Sequence, residues 1–473
     1  MTILCVRDKL SRSKQGKTKR TNELRIGVIG AGFSGTAFAA TLNKLAKTSA
    51  KIYLFDKAGC FGRGDPYCSP YPFHLLNVRA EDMSAFEEDR RDFIVWLESN
   101  SHAHAYLGNT SSIGHEFVPR FLYGDYLEYL LDAMTHSANK TQLVKEAVEV
   151  IDAIPTADAI NLVLSDGRTI EVDKVIIATG NIPSSLPFQP NAESKINYIH
   201  SPWNFSAAAQ IPSSDTVMIV GTGLTMVDTV LTLYHQQHAG KIYAISRHGL
   251  LPLPHAELKA APYIFSEIWP NNLRGLLHYF RNKSKAYMQT AGDWRMLVNT
   301  IRQHLPTLWQ QANVADKKRF LRHVLPYWNI HRHRVHNKIA DLLYQLMEEK
   351  KLQVISGRIK QVNNDHVHIR ERQSQVEKQI KINWMINCIG PGLINKQGNS
   401  RLIDSLIKQQ IATVDSLELG FKVTNDCALI NSAGQSSSQF YALGQTTKGT
   451  FWECTAVPEI RKQCFNLVTH LFK

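Results

Sequence analysis

The sequence contains, twice, an apolar segment that runs directly into a glycine-rich turn and then into a helical pattern. The first reads IGVIGAGFSG from Ile26 to Gly35, and the second reads VMIVGTGLTMVD from Val217 to Asp228. A further apolar strand follows each, KIYLFD at 51–56 and KIYAIS at 241–246. Strand, crossover helix and strand at this spacing predict parallel sheets with right-handed connections. We therefore expect an α/β protein with two Rossmann-like dinucleotide-binding domains.

Each half also closes in a similar way. A pattern of short strands leads into an apolar strand that ends in glycine, VIIATG at 175–180 and WMINCIG at 384–390. The alternating residues, with an Asp-Gly turn at 166–167, predict a β-meander attached to each half. Between these elements, residues from about 256 to 350 have apolar side chains at helical spacing, which predicts a helical insertion.

These patterns divide the chain into three predicted parts. Residues 24–205 and 385–473 form the first dinucleotide-binding domain, and residues 206–384 form the second, which carries the insertion. Residues 1–23 have no apolar core and are expected to be a disordered basic tail.

The charge of the chain is concentrated in two places. Of the formal net charge of +13, residues 1–24 carry +5 and residues 256–350 carry +8, so the remainder is balanced. A local surplus of this kind favours a small anionic molecule or phosphates as partner over nucleic acid. No segment approaches the roughly 18 apolar residues of a membrane span, so no membrane partner is predicted. Seven cysteines without a C-x-x-C pair disfavour a metal site and a disulfide framework, and favour a cytoplasmic location.

The first glycine turn has all the positions that a dinucleotide requires. Gly30 permits the tight turn, Gly32 lets a pyrophosphate approach the backbone, and Gly35 allows the helix to pack closely on the strand. Amides at the helix N-terminus would meet the phosphates. An acidic residue at the end of the next strand would bind the adenosine ribose. The predicted cofactor-binding residues of this half are Gly30, Gly32, Phe33, Ser34, Gly35, Asp56, Lys57, Asn77, Met83, Gly180, Gly444, Gln445 and Thr455.

Two other segments favour FAD as the ligand of the first half. Residues 62–86 are too irregular for a regular element and could wrap a large planar cofactor. Near the C-terminus, an apolar strand turns at Gly444 and enters a helix near Thr455. The positive end of that helix would stabilise the pyrimidine side of a reduced flavin. Since Gln445 replaces the acidic residue common in this turn, flavin contacts there would come from backbone amides or from Thr446 and Thr447.

Four motifs in order carry a resemblance to a known family: GAGFSG, LLNV with MSAF, HRHR at 331–334, and GTFWECTAVPEIR. With these motifs the chain, from about Leu24 to its C-terminus, resembles bacterial FAD/NAD(P)-binding proteins of the YdhS-like type. That family is distantly similar to flavin-containing and N-hydroxylating monooxygenases. The resemblance implies two dinucleotide-binding domains and FAD, and it implies no substrate.

The second glycine turn, with Gly221, Gly223 and Thr225 as predicted cofactor-binding residues, departs from the pattern at one position. Met226 stands at the third glycine position and is expected to push the helix away from the strand. Arg247 stands after the next strand, where the first half has an acidic residue. An arginine there suits the 2′-phosphate of NADPH better than NADH. The alternative is that Arg247 only ends a surface strand.

The cluster His331, Arg332, His333, Arg334 and His336 has three possible interpretations. A metal site is disfavoured because neighbouring arginines repel a cation. The cluster is either a solvated basic face, or it faces the cofactor cleft and binds an anionic substrate or the phosphates of NADPH.

Two functional hypotheses follow. The favoured one is an FAD-dependent, NADPH-using and monooxygenase-like oxidoreductase that acts on an unidentified small molecule. Neither C-x-x-C nor C-x-x-x-x-C occurs, which disfavours a disulfide reductase. No side chain is identified as catalytic, although Asn77 and Gln445 could hydrogen-bond the flavin. The alternative is a non-catalytic flavin-binding module that docks an acidic partner through its basic helical insertion.

Overall fold

The structure, a computed structural model, describes residues 23–108, 112–136, 140–188, 194–256, 269–270, 272–290, 292–394, 398 and 400–472. The predicted tail lies outside the described residues but for residue 23. Among the described residues, the strands are β1 Leu24–Ile29, β2 Ala50–Phe55, β3 Thr141–Glu146, β4 Val150–Pro155, β5 Ile160–Leu164, β6 Thr169–Val172, β7 Lys174–Ile177, β8 Asn197–Ile199, β9 Val217–Val220, β10 Ile242–Ser246, β11 Leu352–Asn363, β12 His366–Glu371, β13 Glu377–Lys381, β14 Trp384–Asn387, β15 Ala428–Ile430 and β16 Ser436–Ala442.

The helices of the described chain alternate with these strands, and most lie between parallel neighbours. They are α1 Phe33–Leu45, α2 Gly64–Tyr67, α3 Asp92–Ser99, α4 Ser101–Leu107, α5 Arg120–Thr135, α6 Phe205–Ala209, α7 Leu224–His235, α8 Leu273–Gln289, α9 Trp294–Gln311, α10 Val314–Arg319, α11 Leu325–Arg332, α12 Asn337–Glu348, α13 Arg401–Lys408, α14 Lys448–Phe451 and α15 Val457–Leu471. Among them no helix is long and apolar enough to cross a bilayer.

The first sheet has the strand order β15-β16-β7-β1-β2-β3, and all its pairs are parallel except β15 with β16. One face packs against α1, α5 and α15, and the other packs against α13 and the antiparallel sheet β4-β5-β6. The C-terminal strand β16 lies next to β7, so the two ends of the chain meet in one sheet. This arrangement confirms the predicted parallel sheet and the first meander.

The second sheet has the order β13-β12-β11-β10-β9-β14-β8. Strands β11, β10, β9, β14 and β8 pair in parallel, and β11 to β13 form the second predicted meander. Because β8 and β14 both pair within it, this sheet spans 197–387 and is wider than the predicted segment 206–384. The division of the chain into domains otherwise stays a prediction.

Helices α8 to α12 occupy 273–348 and confirm that the insertion is helical. Trp309 of α9 stacks on Trp452 at 4.5 Å between ring centroids, and its indole donates to the carbonyl of Gly449 at 2.9 Å. Arg302 of the same helix pairs with Glu459 of α15 through two contacts of 2.5 Å. The insertion therefore belongs to the second half in sequence but packs against the C-terminal part of the first.

Candidate functional site

The two glycine turns have almost the same backbone geometry. Gly30 and Gly221 have φ of +107° and +118°, which glycine adopts without strain. A Cβ added at either residue would lie 2.3 Å from a backbone oxygen, that of Ala178 or of Cys388. Each turn therefore presses against the strand that closes its half, and each ends in a helix that begins directly after Gly32 or Gly223.

Met226 stands where the first turn has Gly35. At Gly35 an added Cβ would lie 2.0 Å from the oxygen of Gly30, so the first turn has no room for a side chain there. Met226 is fully buried in the core beneath α7. Gly223 nevertheless has nearly the backbone angles of Gly32, and an added Cβ there would meet no atom of the described residues within 4 Å. The start of the second turn therefore keeps its open approach, and the expectation that Met226 pushes the helix away from the strand stays a prediction.

Asp56 and Lys57 follow β2 beside the first turn. The amide of Gly30 donates to the carbonyl of Phe55 at 3.0 Å, so the carboxyl end of β2 adjoins the turn. Oδ1 of Asp56 accepts from the amides of Ala58 and Cys60 at 2.9 and 3.0 Å. These bonds fix the carboxylate at the sheet edge. Lys57 is exposed.

The C-terminal turn is brought against the first glycine turn. A Cβ at Gly444 would lie 2.6 Å from Oγ of Ser34, so these two predicted segments touch. The Gly444 amide donates to Oε1 of Gln463 at 3.0 Å, and Gln463 was not found from the sequence. Oε1 of Gln445 is buried and has no hydrogen-bond partner among the described residues. A buried acceptor of this kind fits a ligand that donates a hydrogen bond.

The hydroxyl groups of Thr446 and Thr447 donate hydrogen bonds within their own turn. Their side chains donate to the carbonyls of Leu443 and Gly444 at 3.0 and 2.7 Å, and both residues are almost fully buried. The tight turn thus uses the hydroxyl protons of both residues, and the expectation that Thr446 and Thr447 contact a flavin stays a prediction. On the opposite strand end, Oγ1 of Thr179 is buried without a partner among the described residues, and Gly180 beside it has φ +70° and open space.

Helix α15 begins at Val457, two residues after Thr455. It connects the C-terminal motif to the irregular segment 62–86 through Arg461. Arg461 is 1% exposed and donates to the carbonyls of Asp82 and Ser84 and to the carboxylate of Glu87. The irregular segment 62–86 is thereby clamped to the C-terminal helix. Met83 of this segment is buried in the core, whereas Asn77 lines an open cavity.

Arg247 is exposed at the end of β10 and lies in a small basic group. Arg372 donates to its carbonyl at 3.2 Å and lies 3.1 Å from Nδ1 of His248. Burial, Arg372 and Arg247 lower the pKa of His248. Arg372 comes from the turn between β12 and β13, and no local pattern in the sequence pointed to it. The three side chains together offer donors to an anion after the second strand, as Asp56 offers an acceptor in the first half.

The HRHR cluster is divided between two environments. Nδ1 of His331 lies 2.7 Å from the carbonyl of Tyr327, and His336 accepts from the amide of Lys338 at the start of α12. Arg332 and Arg334 are 6% and 7% exposed. The interpretation as a solvated basic face is therefore wrong for the two arginines. Among the described residues, no group of three His, Cys, Asp or Glu side chains could hold a metal ion.

A cavity of about 720 Å³ lies where these parts meet. Its walls come from 77–90 and 458–462 of the first half, and from 255–256 and 299–334 of the second. Nε2 of His255 lies 3.0 Å from the carbonyl of Asn77 across the junction. The charged side chains that line it are Arg79, Arg90, Arg302, Arg332, Arg334, Arg461 and Lys462 on the basic side, and Glu81, Asp82, Glu87 and Glu459 on the acidic side.

Comparison with known proteins agrees with this architecture. Residues 27–182 match a family described as FAD-NAD(P)-binding, which confirms the predicted FAD/NAD(P)-binding region. No curated protein matches the chain.

Among solved structures, the chain is similar to the ornithine N-hydroxylase of Kutzneria sp. 744, solved with reduced FAD, NADP⁺ and L-ornithine. The TM-score is 0.66 at 15% identity over 95% of this chain and 98% of that one. It is also similar to the reduced ornithine hydroxylase of Pseudomonas aeruginosa, with a TM-score of 0.63, 15% identity and the same coverage. The FAD-bound cadaverine monooxygenase of Erwinia amylovora gives a TM-score of 0.61 at 10% identity over 94% of each chain. These likenesses show that the fold is that of two-domain FAD/NAD(P) flavoproteins.

Proposed function

We propose that the chain is an FAD-dependent oxidoreductase of the monooxygenase type that uses NADPH and acts on a small molecule in the cavity. The observation that carries this proposal is the pair of glycine turns of equal geometry, followed by an acidic group in one half and a basic group in the other. The finer family assignment, to the YdhS-like proteins, belongs to the same proposal and is supported by the four sequence motifs.

FAD would lie along the first turn. The residues present fit it, because Gly30 and Gly32 leave the backbone bare for the pyrophosphate and Asp56 is fixed where the adenosine ribose would lie. Gln445 and Thr179 supply buried polar atoms that have no partner in the described chain. The N-terminus of α15 would face the pyrimidine edge of the ring, and it favours negative charge there. When bound, FAD accepts a hydride and, once reduced, reacts with oxygen.

NADPH would lie along the second turn. The open space at Gly223 and the start of α7 suit the pyrophosphate, and Arg247, His248 and Arg372 suit the 2′-phosphate. Asp56 at the matching place of the first half would repel such a phosphate. The difference in charge after the second strand therefore supports FAD in the first half and NADPH in the second.

The insertion and the segment 77–90 would hold the substrate and exclude water from it. Asn77 and the N-terminal residues of α15 line the same cavity, so the flavin edge and the substrate would share it. Its basic residues outnumber the acidic ones, which supports an anionic small molecule. We propose a cytoplasmic location as well, since NADPH and the free thiols of the six described cysteines suit a reducing compartment.

The non-catalytic alternative receives less support from the structure. Exposed cations of the insertion such as Arg281, Lys318 and Arg322 could dock an acidic partner, but Arg332 and Arg334 are buried around a cavity and suit a small ligand instead. A disulfide reductase is also disfavoured, because burial raises the pKa of Cys388, Cys427 and Cys454 to about 12, which keeps these thiols protonated.

The test is anaerobic reduction of the purified protein, followed by absorbance of the flavin. We expect a yellow protein whose flavin bleaches with NADPH, bleaches at least tenfold more slowly with NADH, and recovers its colour in air. A protein that takes up no FAD, or whose bound FAD is not reduced by either nucleotide, would overturn the proposal.

A further inference from the structure

Arg334 is a buried cation without an acidic partner among the described residues. Its Nη2 donates to Oδ1 of Asn299 at 2.7 Å, and its Nε has no hydrogen-bond partner among the described residues. Asp293 is near enough to raise its pKa, but that carboxylate is paired with Arg295 at 3.0 Å. Burial, Arg332 and Arg295 together lower the pKa of Arg334 to about 10.

Arg332, two residues earlier in the chain, is buried as well. Its single side-chain bond in the described chain is a contact of 3.3 Å from Nε to Glu453, and its Nη2 has no partner there. The same carboxylate also accepts from the indole of Trp328 at 3.1 Å. The cation is therefore only partly compensated, and burial and Arg302 lower its pKa.

The other buried arginines of the cavity differ from these two. Arg302 is held by both oxygens of Glu459, and Arg461 is held by Glu87 and two carbonyls. Their charges are balanced by carboxylates within the protein. A buried N–H without an acceptor, and a buried charge without a counter-charge, both cost free energy unless a ligand supplies the missing group. Among these four arginines, the described carboxylates leave Arg334 without a counter-charge and Arg332 with a single contact of 3.3 Å.

We propose that Arg332 and Arg334 bind an oxyanion of the substrate, a carboxylate or a phosphate group. This assignment rests on the proposed function only in taking the cavity as the substrate site. The phosphates of the two dinucleotides do not account for it, since neither glycine turn nor Arg247 lines the cavity. The planar guanidinium groups suit an oxyanion because each offers paired donors to two oxygens.

Arg334 is the better residue to change, because no carboxylate loses its partner when it is replaced. The experiment titrates the FAD-loaded protein with malonate in one arm and inorganic phosphate in the other, at constant ionic strength, by calorimetry. Arg334→Gln removes the charge. Arg281→Gln is the matched control, since Arg281 is an exposed arginine of α8 in the same insertion and does not line the cavity.

We expect saturable binding of at least one probe, weakened about tenfold or more by Arg334→Gln and unchanged within about twofold by Arg281→Gln. Binding of malonate alone identifies a carboxylate, and binding of phosphate alone identifies a phosphate. Arg334→Lys keeps the charge and loses the Nε–H, so it should also weaken binding, even if Arg334→Gln fails to fold. Absence of saturable binding, or equal affinity in wild type and Arg334→Lys, would overturn the assignment.

The outcome is independent of the test for the proposed function. If the anion site behaves as expected but NADPH does not reduce the flavin, the oxyanion site stands and the assigned reaction fails. If NADPH reduces the flavin but Arg334→Gln binds both probes like the control, the reaction stands and the oxyanion site fails.

Discussion

The ion pair between Arg120 and Asp228 joins the two halves of the chain. Arg120 begins α5 of the first half, Asp228 lies on α7 of the second, and their side chains are 10% and 11% exposed. Nη1 of Arg120 lies 2.6 Å from Oδ2 of Asp228, and its Nε donates to the carbonyl of Leu75 at 3.0 Å. His74 makes a further contact of 3.0 Å with the Asp228 carbonyl. Removal of this carboxylate therefore leaves a buried cation at the junction.

Asp228→Asn keeps the shape of the side chain and one acceptor oxygen but removes the charge. Loss of one partner from a buried pair costs about 3–5 kcal/mol, and the retained acceptor places the expected value near the lower end, about 3 kcal/mol. For a cooperative unit of about 200 residues this corresponds to a melting temperature lower by roughly 6–12 °C.

The assay is urea denaturation followed by circular dichroism and by flavin fluorescence. Asp166→Asn is the control, because Asp166 forms an exposed pair with Arg168 and its replacement should leave the free energy of unfolding nearly unchanged. The double variant Arg120→Met with Asp228→Leu replaces the pair by apolar groups and should recover most of the loss. A change below about 1 kcal/mol in Asp228→Asn, or a double variant less stable than the single one, would refute the reasoning.

Four other predictions test the dinucleotide turns and the cavity. Gly35→Ala, whose methyl group would lie 2.0 Å from the oxygen of Gly30, should abolish FAD-loaded protein in absorbance spectra. Gly223→Ala meets no atom and should cost at most about 1 kcal/mol in a thermal melt, yet raise the KM for NADPH about tenfold because the pyrophosphate is obstructed. Arg247→Gln should raise the KM for NADPH by a similar factor in steady-state assays and leave that for NADH unchanged. Burial and Arg334 lower the pKa of His255 to about 4. As the pH falls, His255 therefore takes up a proton in the unfolded chain at a higher pH than in the folded protein, so stability should fall below about pH 6.5. His255→Gln should reduce the difference between the urea midpoints at pH 7 and pH 5.

The parts of the fold that the sequence predicted are those in which one short segment determines its own conformation. Gly30 and Gly221 must have positive φ, and the apolar strand before each can only continue into a helix on the other side of the turn. The meanders follow from alternating residues within about 25 positions. Each of these patterns is local in sequence, so it predicts the structure of its segment without information on tertiary contacts.

The contacts that complete the site join residues far apart in sequence. Arg461 is 374 positions from Glu87, and Arg372 is 125 positions from Arg247. Arg461 ends the motif GTFWECTAVPEIR, but the residues next to either arginine do not show which distant group it contacts. The segment HRHR at 331–334 had three interpretations for the same reason. Its alternating residues do not show which side chains are buried in the folded protein.

The insertion and the N-terminus of α15 are positioned by the same strained residue. Trp452 has φ +60° and ψ −69°, and the Glu453 amide donates to the Phe451 carbonyl at 2.7 Å, which describes a γ-turn that a non-glycine residue rarely adopts. Such a conformation costs about 1–3 kcal/mol and persists only when its surroundings impose it. Trp309 stacks on the Trp452 indole, and the Glu453 carboxylate accepts hydrogen bonds from Trp328 and Arg332 of the insertion. Because α15 begins five residues after Trp452, the turn links Arg332, which donates to Glu453, to the helix end that we propose faces the flavin. A substrate held by its oxyanion would thus be placed against the flavin by the same contacts that impose the strain.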